Sequence, residues 1–429
     1  MEKYYLVDYI KKNFNIDEDI LDSIKFELDK HIYFYGDNFD SPREKITTVK
    51  VLLKTMLRDT SREYSNMLKS FTRNKPVSKT NNIVSNSYFS INDELRQAGY
   101  NVYKPIWCDG ISHDVIFDVD LYRESKAIKN IFAKGNFIDI IDERFIERIK
   151  SFKEHLKRYY IDNNISAIIV PNDICFFENL SIKIFKEINR PSFIFLHGLP
   201  GRYNNIAENR SDYLIVWGDK IKENYIKAGF REDKILVSGH PYYKEFHYRE
   251  LKFGIEDILI ITESMPGAQH GERVRLSDRG NSILYLYSIQ NVLKKMDVKS
   301  VRLRVHPSAN RRWYLKFVDK DFFRLDMEDL DSSLKRSTLV IGPDSTILVE
   351  SAYYGVNYLV YKPDNDGVDL MNLKISPPFD GSDARIPVAK DEGELRHMLA
   401  DKVKADASFL GDYIKTPFDI TFMKRYIKG

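Results

Sequence analysis

The chain has 429 residues, a length that fits two domains of ordinary size. Hydrophobic residues make up 43% and charged residues 30%, as in globular proteins with a substantial core. Lys and Arg number 66 against 63 Asp and Glu, and the two signs are interspersed, which argues against a nucleic-acid-binding surface. Two cysteines are too few for a disulfide framework or a zinc site. With no signal peptide or membrane-spanning run visible, the expected location is cytoplasmic.

The first 80 residues are predicted to form a charged helical segment, because Ile20, Ile24 and Leu28 recur at helical spacing. From residue 81, short apolar runs alternate with amphipathic stretches. A helix is predicted over Lys220–Ala228 and ends at Gly229. The strands predicted in this first series are Ala167–Val170, Ser192–Leu196, Tyr213–Trp217 and Ile235–Val237.

A second alternating series follows a turn-rich stretch at 238–250. Its predicted strands are Asp257–Thr262, Val301–Val305, Thr338–Gly342 and Tyr358–Tyr361. Its predicted helices are Ser282–Met296, Glu328–Lys335, Ser345–Tyr354 and Glu392–Lys404. Such alternation predicts parallel sheets with helices on both faces. We therefore expect two Rossmann-like α/β domains facing a cleft, over residues 81–245 and 246–410, with a helical N-terminal extension and a C-terminal helix over 411–429.

Ligands of open parallel sheets bind at the carboxyl ends of the strands, so the residues that follow the strands are candidate site residues. The strand predicted over Val301–Val305 runs into His306 and Pro307, and the proline restrains the backbone before it. A histidine at this edge can donate a hydrogen bond to a phosphate or stabilise its charge. Arg304 alternates with His306 and is expected to point the same way. The ordinary alternative is a strand end followed by a solvated basic loop.

The strand predicted over Thr338–Gly342 is followed by Ser345 and Thr346, either of which can cap the next helix. Amide groups at such a helix start can bind an anion, although a plain helix cap is the commoner role of these residues. Glu350 lies about one turn into the helix and could reach the ribose hydroxyls of a nucleotide or simply face solvent. The glycine-containing loop at 263–281 is predicted to cover the donor.

The first domain offers candidates for a general base. His197 follows a predicted strand and precedes Gly198, and Asp173 and Glu178 follow another strand end. Asp109 is a further candidate, although a lone Asp or His is more often structural. An enzyme that acts in a cleft between two domains needs groups that activate the acceptor on one side and groups that bind the phosphate on the other. The candidates in the two predicted domains are distributed in this way.

These motifs together resemble a known group of enzymes. They are LHG at 196–198, VSGHPYY at 237–243, RVHP at 304–307 and GPDSTILVESAYYG at 342–355. The combination resembles GT-B glycosyltransferases, and more narrowly the bacterial transferases that use CMP-activated nonulosonic or Kdo-type acid sugars. The resemblance covers roughly residues 165–360. It departs from the sialyltransferases at the acidic pair before glycine that supplies their base, which is not intact here.

The resemblance implies that His306 with Pro307 contacts the phosphate of the donor and that Ser345 with Thr346 forms the paired-hydroxyl motif. It also implies that Glu350, Arg304 and Gly342 belong to the nucleotide site. His197 is the first candidate for the base and Asp173 the second. The expected reaction is transfer of an acid sugar from a CMP-sugar to a cell-surface glycan or glycolipid, with no metal or other cofactor and no nucleic-acid partner.

Several alternatives stay open. They are a CDP-glycerol glycerophosphotransferase, a UDP-sugar transferase or 2-epimerase of the same fold, and a binding protein without catalytic activity. The tail FMKRYIKG is compatible with a peripheral membrane contact and equally with an ordinary terminal helix.

Overall fold

The computed structural model contains two parallel six-stranded sheets. It describes residues 10, 16–33, 81–108, 114–134, 137–200, 203, 210–243, 245, 250–262, 276–307, 309, 311–365, 368–369 and 377–427. Asp109, Gly201, the 263–275 part of the predicted covering loop and most of the first 80 residues lie outside these ranges.

The first sheet has the strand order β2-β1-β3-β4-β5-β6, with every pair parallel. Its strands are β1 (Asn82–Ser85), β2 (Asn101–Tyr103), β3 (Ile165–Val170), β4 (Ser192–Phe195), β5 (Tyr213–Val216) and β6 (Ile235–Val237). The helices of this half are α1 (Glu18–Tyr33), α2 (Asn92–Gln97), α3 (Val119–Lys134), α4 (Phe137–Ile140), α5 (Glu143–Asp162), α6 (Phe176–Glu187) and α7 (Asp219–Lys227), and a 3₁₀ turn covers Glu232–Lys234. Helix α1, the described part of the predicted helical extension, packs on α6.

The second sheet has the order β14-β11-β10-β7-β8-β9 and is also parallel. Its strands are β7 (Ile258–Ile261), β8 (Val301–Arg304), β9 (Phe323–Leu325), β10 (Leu339–Gly342), β11 (Tyr358–Tyr361) and β14 (Val388–Ala389), and β12 (Asp364–Asn365) and β13 (Val368–Asp369) form a separate hairpin. The helices are α8 (Leu276–Lys294), α9 (Arg311–Tyr314), α10 (Leu330–Arg336), α11 (Ile347–Tyr353), α12 (Glu392–Ala400) and α13 (Phe409–Tyr413).

Strand β7 shows why the second sheet forms where it does. All four of its residues are apolar and buried, as is typical of a parallel strand covered on both faces. Ile258 and Ile260 belong to the core that α8 and α12 cover, whereas Leu259 and Ile261 belong to the core that is continuous with the first domain. Two such α/β units in one chain confirm the predicted GT-B-like fold class.

The end of the chain returns to the first domain. The backbone N–H of Lys415 donates to the Trp217 carbonyl over 2.8 Å, and that of Asp419 to the Ser238 carbonyl over 2.7 Å. A Cβ on Gly218 would lie 2.3 Å from the Tyr413 carbonyl carbon, so only glycine leaves room for this segment. Residues 411–429, predicted as one helix, contain instead the end of α13 and a 3₁₀ turn at Thr421–Arg425. Between them Pro417, which lacks a backbone N–H, is incompatible with a continuous helix.

Candidate functional site

Three strand ends of the second sheet bring candidate residues together. The backbone N–H of His306, after β8, donates to Thr262 Oγ1, after β7, over 3.1 Å. Ser345 follows β10, the other neighbour of β7. His306 and Ser345 therefore lie at one edge, about two strand spacings or roughly 10 Å apart. Their strands are not adjacent, because β7, followed by Thr262, lies between them. Burial lowers the pKa of the His306 imidazole, so it is neutral at pH 7.

The two hydroxyls of the predicted motif have different contacts. Ser345 Oγ accepts the backbone N–H of Ile347 at 3.3 Å. Thr346 Oγ1 accepts the backbone N–H of Leu199, in the first domain, at 2.9 Å. A Cβ on Gly198 would lie only 2.9 Å from the same oxygen, so this glycine permits the contact. Thr346 therefore connects the domains, and both Ser345 and Thr346 keep a hydroxyl proton that these contacts do not use.

Three other predicted nucleotide-site residues have structural roles or lie at the rim. Arg304 Nη1 is 2.8 Å from Asp326 Oδ2 and 2.9 Å from the Glu328 carbonyl oxygen, so its guanidinium binds groups of its own domain. At Gly342 a Cβ would lie 2.2 Å from Ile261 Cγ1, so protein atoms fill the space where a side chain would begin. Pro307 is exposed beside His306.

His197 lies at the carboxyl edge of the first sheet, directly before the Gly198–Leu199 contact with Thr346. Its Nδ1 is 3.2 Å from the Pro171 carbonyl oxygen, and its ring centroid is 4.8 Å from that of Tyr88. A carbonyl only accepts, so this contact requires a proton on Nδ1 and leaves Nε2 as the acceptor. The side chain is reached by solvent, yet the surrounding protein lowers its pKa by desolvation. A neutral imidazole with a free Nε2 can act as a general base.

Asp173, the second predicted base, is fully buried. Its Oδ2 accepts the backbone N–H of Arg210 at 3.1 Å and lies 3.7 Å from the guanidinium. The guanidinium also pairs with Asp22 of α1 at 2.9 Å. Burial raises the pKa of Asp173 to about 7, opposed by the charge of Arg210. Full burial of this carboxyl beside Arg210 favours His197, which solvent reaches, over Asp173 as the base.

Glu178 and His197 share Tyr88 as a neighbour. Glu178 Oε1 accepts from Asn86 Nδ2 at 3.0 Å, and burial raises the pKa of Glu178. Burial, reinforced by the charges of Cys175 and Glu178, raises the pKa of Tyr88, whose ring packs at a tilt against that of His197. The first-domain wall thus holds an imidazole and a carboxyl within one small group of side chains.

Glu350 lies at the contact between the domains. Tyr243 of the first domain hydrogen-bonds to its carboxyl. Burial and the charge of Asp331 raise the pKa of Glu350 to about 7, and Arg304 and Tyr243 oppose the rise. The Tyr243 ring also packs on that of Tyr353, with centroids 4.9 Å apart. Glu350, which was predicted to bind the ribose, therefore hydrogen-bonds to a tyrosine of the first domain.

Sequence reasoning missed a buried ion pair at the same edge. Lys362 Nζ lies 3.0 Å from Asp344 Oδ1, and both side chains are almost fully buried, 1% and 6% exposed. Each follows a strand, β11 and β10, so the rule that selected His306 could have selected them. Thr262 follows β7 in the same way.

A cavity of about 900 Å³ lies elsewhere, between edge strand β6, the start of α7 and the C-terminal segment. Four of its lining side chains form ion pairs with one another, Lys222 with Glu232 at 3.3 Å and Arg231 with Asp233, and we place the candidate site at the strand ends instead. Within the described ranges, no cluster of three His, Cys, Asp or Glu side chains could hold a metal ion. None of the described helices has the length and apolar character needed to cross a bilayer.

No protein-family model matches the chain, and no curated protein matches it. Several solved structures are similar to it. UDP-GlcNAc 2-epimerase from Neisseria meningitidis, bound to UDP-GlcNAc, is 14% identical with a TM-score of 0.45, over 79% of this chain and 95% of that chain. The Methanocaldococcus jannaschii UDP-GlcNAc 2-epimerase is 11% identical with a TM-score of 0.43, over 79% and 95%. The lipopolysaccharide outer core galactosyltransferase WaaB is 12% identical with a TM-score of 0.37, over 80% and 97%. Likeness at this level says nothing about activity.

Proposed function

We propose that the chain is a GT-B glycosyltransferase that moves an acid sugar, of the sialic, Kdo or other nonulosonic type, from a CMP-activated donor to a cell-surface glycan. The observation that carries the proposal is the gathering of His306, Thr262 and Ser345 at one sheet edge, opposite the loop that holds His197. The direct contact of Thr346 with Leu199 supports a reaction between the two edges, because His197 is only two residues away.

In the proposed reaction, the acceptor oxygen bonds to the anomeric carbon of the sugar while the bond from that carbon to the phosphate oxygen breaks. His197 Nε2 takes the acceptor proton, and CMP leaves with the bonding electron pair. His306 and Ser345 donate hydrogen bonds to the phosphate and stabilise its growing charge. His306 is neutral in the free enzyme, and an approaching phosphate favours its protonation.

Thermal unfolding with CMP, CDP, UDP, GDP and ADP tests the donor class. A ligand at about 100 times its Kd stabilises the fold by about 2.7 kcal/mol. We expect the largest shift with CMP and CDP. A preference for UDP would move the donor to the uridine class, and no shift with any nucleotide would refute the proposal.

Two variants separate binding from chemistry. His306→Gln should weaken CMP binding. His197→Gln should leave the Kd of CMP unchanged and slow transfer by about 10²–10⁴-fold, the contribution of a general base. Product analysis distinguishes the alternatives: a 2-epimerase converts the nucleotide-sugar without an acceptor, and a glycerophosphotransferase leaves phosphorus on its product.

A further inference from the structure

Strand β11 holds the 343–346 loop, the residues Pro343 to Thr346 that carry the proposed phosphate-binding hydroxyl. At one end of the strand, Tyr358 Oη donates to the Pro343 carbonyl over 2.6 Å. Just past the other end, Lys362 Nζ lies 3.0 Å from Asp344 Oδ1. Tyr358 is fully buried and Lys362 is 2% exposed, so both contacts are shielded from water.

The absence of a side chain at Gly342 is what permits the first contact. A Cβ there would lie 2.3 Å from Tyr358 Oη, closer than two such atoms approach. Gly342 thus belongs to the site indirectly: it gives the tyrosine hydroxyl room to reach the residue that follows.

The buried ion pair is not explained by stability alone. Removing two charges from water costs several kcal/mol per ion. Proteins in which apolar residues replace such a pair are often as stable as the original or more stable. What the pair does supply is a fixed position for Asp344, the residue before Ser345. On the other side of Ser345, the Leu199 N–H holds Thr346.

Ser345 thus lies between two fixed neighbours. Its Oγ accepts the Ile347 N–H, so its own proton is free of that bond and available for donation. We infer that Tyr358 and the Lys362–Asp344 pair are positioning residues, which orient the Ser345 hydroxyl toward the phosphate of a nucleotide. This inference rests on the proposed function.

Two tyrosines of β11 provide a matched test. Tyr358→Phe removes the hydrogen bond to the loop. Tyr361→Phe is the control, since Tyr361 is on the same strand, equally buried, and donates to Ser288 Oγ at 2.9 Å on α8 rather than to the loop. The measurements are the Kd of CMP by calorimetry and the free energy of unfolding in urea. We expect both variants to lose similar stability, and only Tyr358→Phe to weaken CMP binding, by about tenfold.

A double-mutant cycle tests whether Tyr358 affects CMP binding through Ser345. If Tyr358 acts through Ser345, Tyr358→Phe should have no further effect on the Kd in a Ser345→Ala background. Asp344→Asn should weaken binding in the same way, provided that its urea transition shows a folded protein. Equal CMP binding by the Tyr358 and Tyr361 variants, or full additivity with Ser345→Ala, overturns the inference alone. A wild-type chain that binds none of the five nucleotides overturns the proposed function, and the inference with it.

Discussion

Replacing Glu350 by Gln is expected to change how stability depends on pH. The carboxyl is half-buried at the domain contact, beside Asp331 and hydrogen-bonded by Tyr243. Burial, reinforced by Asp331, raises its pKa from 4.5 to about 7. Between these values the folded state keeps a proton that the unfolded chain has lost. The stabilisation is therefore fully present below pH 4.5 and is lost as the pH rises through 7.

The size of the effect follows from the shift. One pKa unit corresponds to about 1.4 kcal/mol, so a rise from 4.5 to about 7 corresponds to at most about 3.5 kcal/mol. Partial contact with solvent reduces this figure. Gln keeps the shape of the side chain and does not titrate. The stability of the wild type relative to Glu350→Gln should consequently fall by about 2–3 kcal/mol between pH 4 and pH 8.

Urea unfolding of both proteins at half-unit steps of pH measures this difference. Substitutions of two residues next to Glu350 should shift the pH at which it titrates in opposite directions. Asp331→Asn removes a negative charge and should lower the pKa of Glu350, whereas Tyr243→Phe removes a stabilising donor and should raise it. A pH-independent difference between wild type and Glu350→Gln would refute the reasoning, because it would mean that the carboxyl titrates alike in both states.

Three further outcomes are expected. His240 is buried among aromatic rings, and burial lowers its pKa to about 3. The free energy of unfolding should therefore fall by about 1.4 kcal/mol for each pH unit below 6.5. His240→Gln should remove that slope, as measured by urea unfolding. Gly218→Ala should cost about 1–3 kcal/mol by displacing Tyr413, whereas Gly280→Ala, with nothing near its Cβ, should stabilise α8 by about 0.5–1 kcal/mol. Asp173→Asn should lower stability and leave the transfer rate per folded molecule unchanged; a large loss of rate would identify Asp173 as the base instead of His197.

The regular elements could be predicted because their signal is local. Strands β6 and β11 begin and end as predicted, since each is an apolar run with a clear stop on both sides. The strands that sequence reasoning missed are β1, β2, β9, β12, β13 and β14. They have two to four residues, too few to show alternation or a distinct run. The rule about carboxyl ends correctly brought His306 and Ser345 to one edge, because it depends only on the direction of the strands.

The difference between His197 and Asp173 was not predictable in this way. Each follows a strand of the first sheet, so the two positions are equivalent by the rule that selected them. What separates them is the surroundings: α1 brings Asp22 to Arg210, and Arg210 covers Asp173, while His197 stays open to solvent. Asp22 and Asp173 are far apart in the chain, and no pattern near either one indicates that they share an arginine.

The paired hydroxyls show the same limit at the centre of the site. Ser345 and Thr346 are adjacent and chemically alike, and the sequence assigns them one shared role. The contact that divides them comes from Leu199, 147 residues earlier, and it exists because Gly198 has no side chain to keep Thr346 away. The same hydrogen bond joins the first domain to the second, beside the residues proposed to bind the donor. A change at Gly198 should therefore disturb donor binding and the domain contact together, although Gly198 is not among the proposed donor ligands.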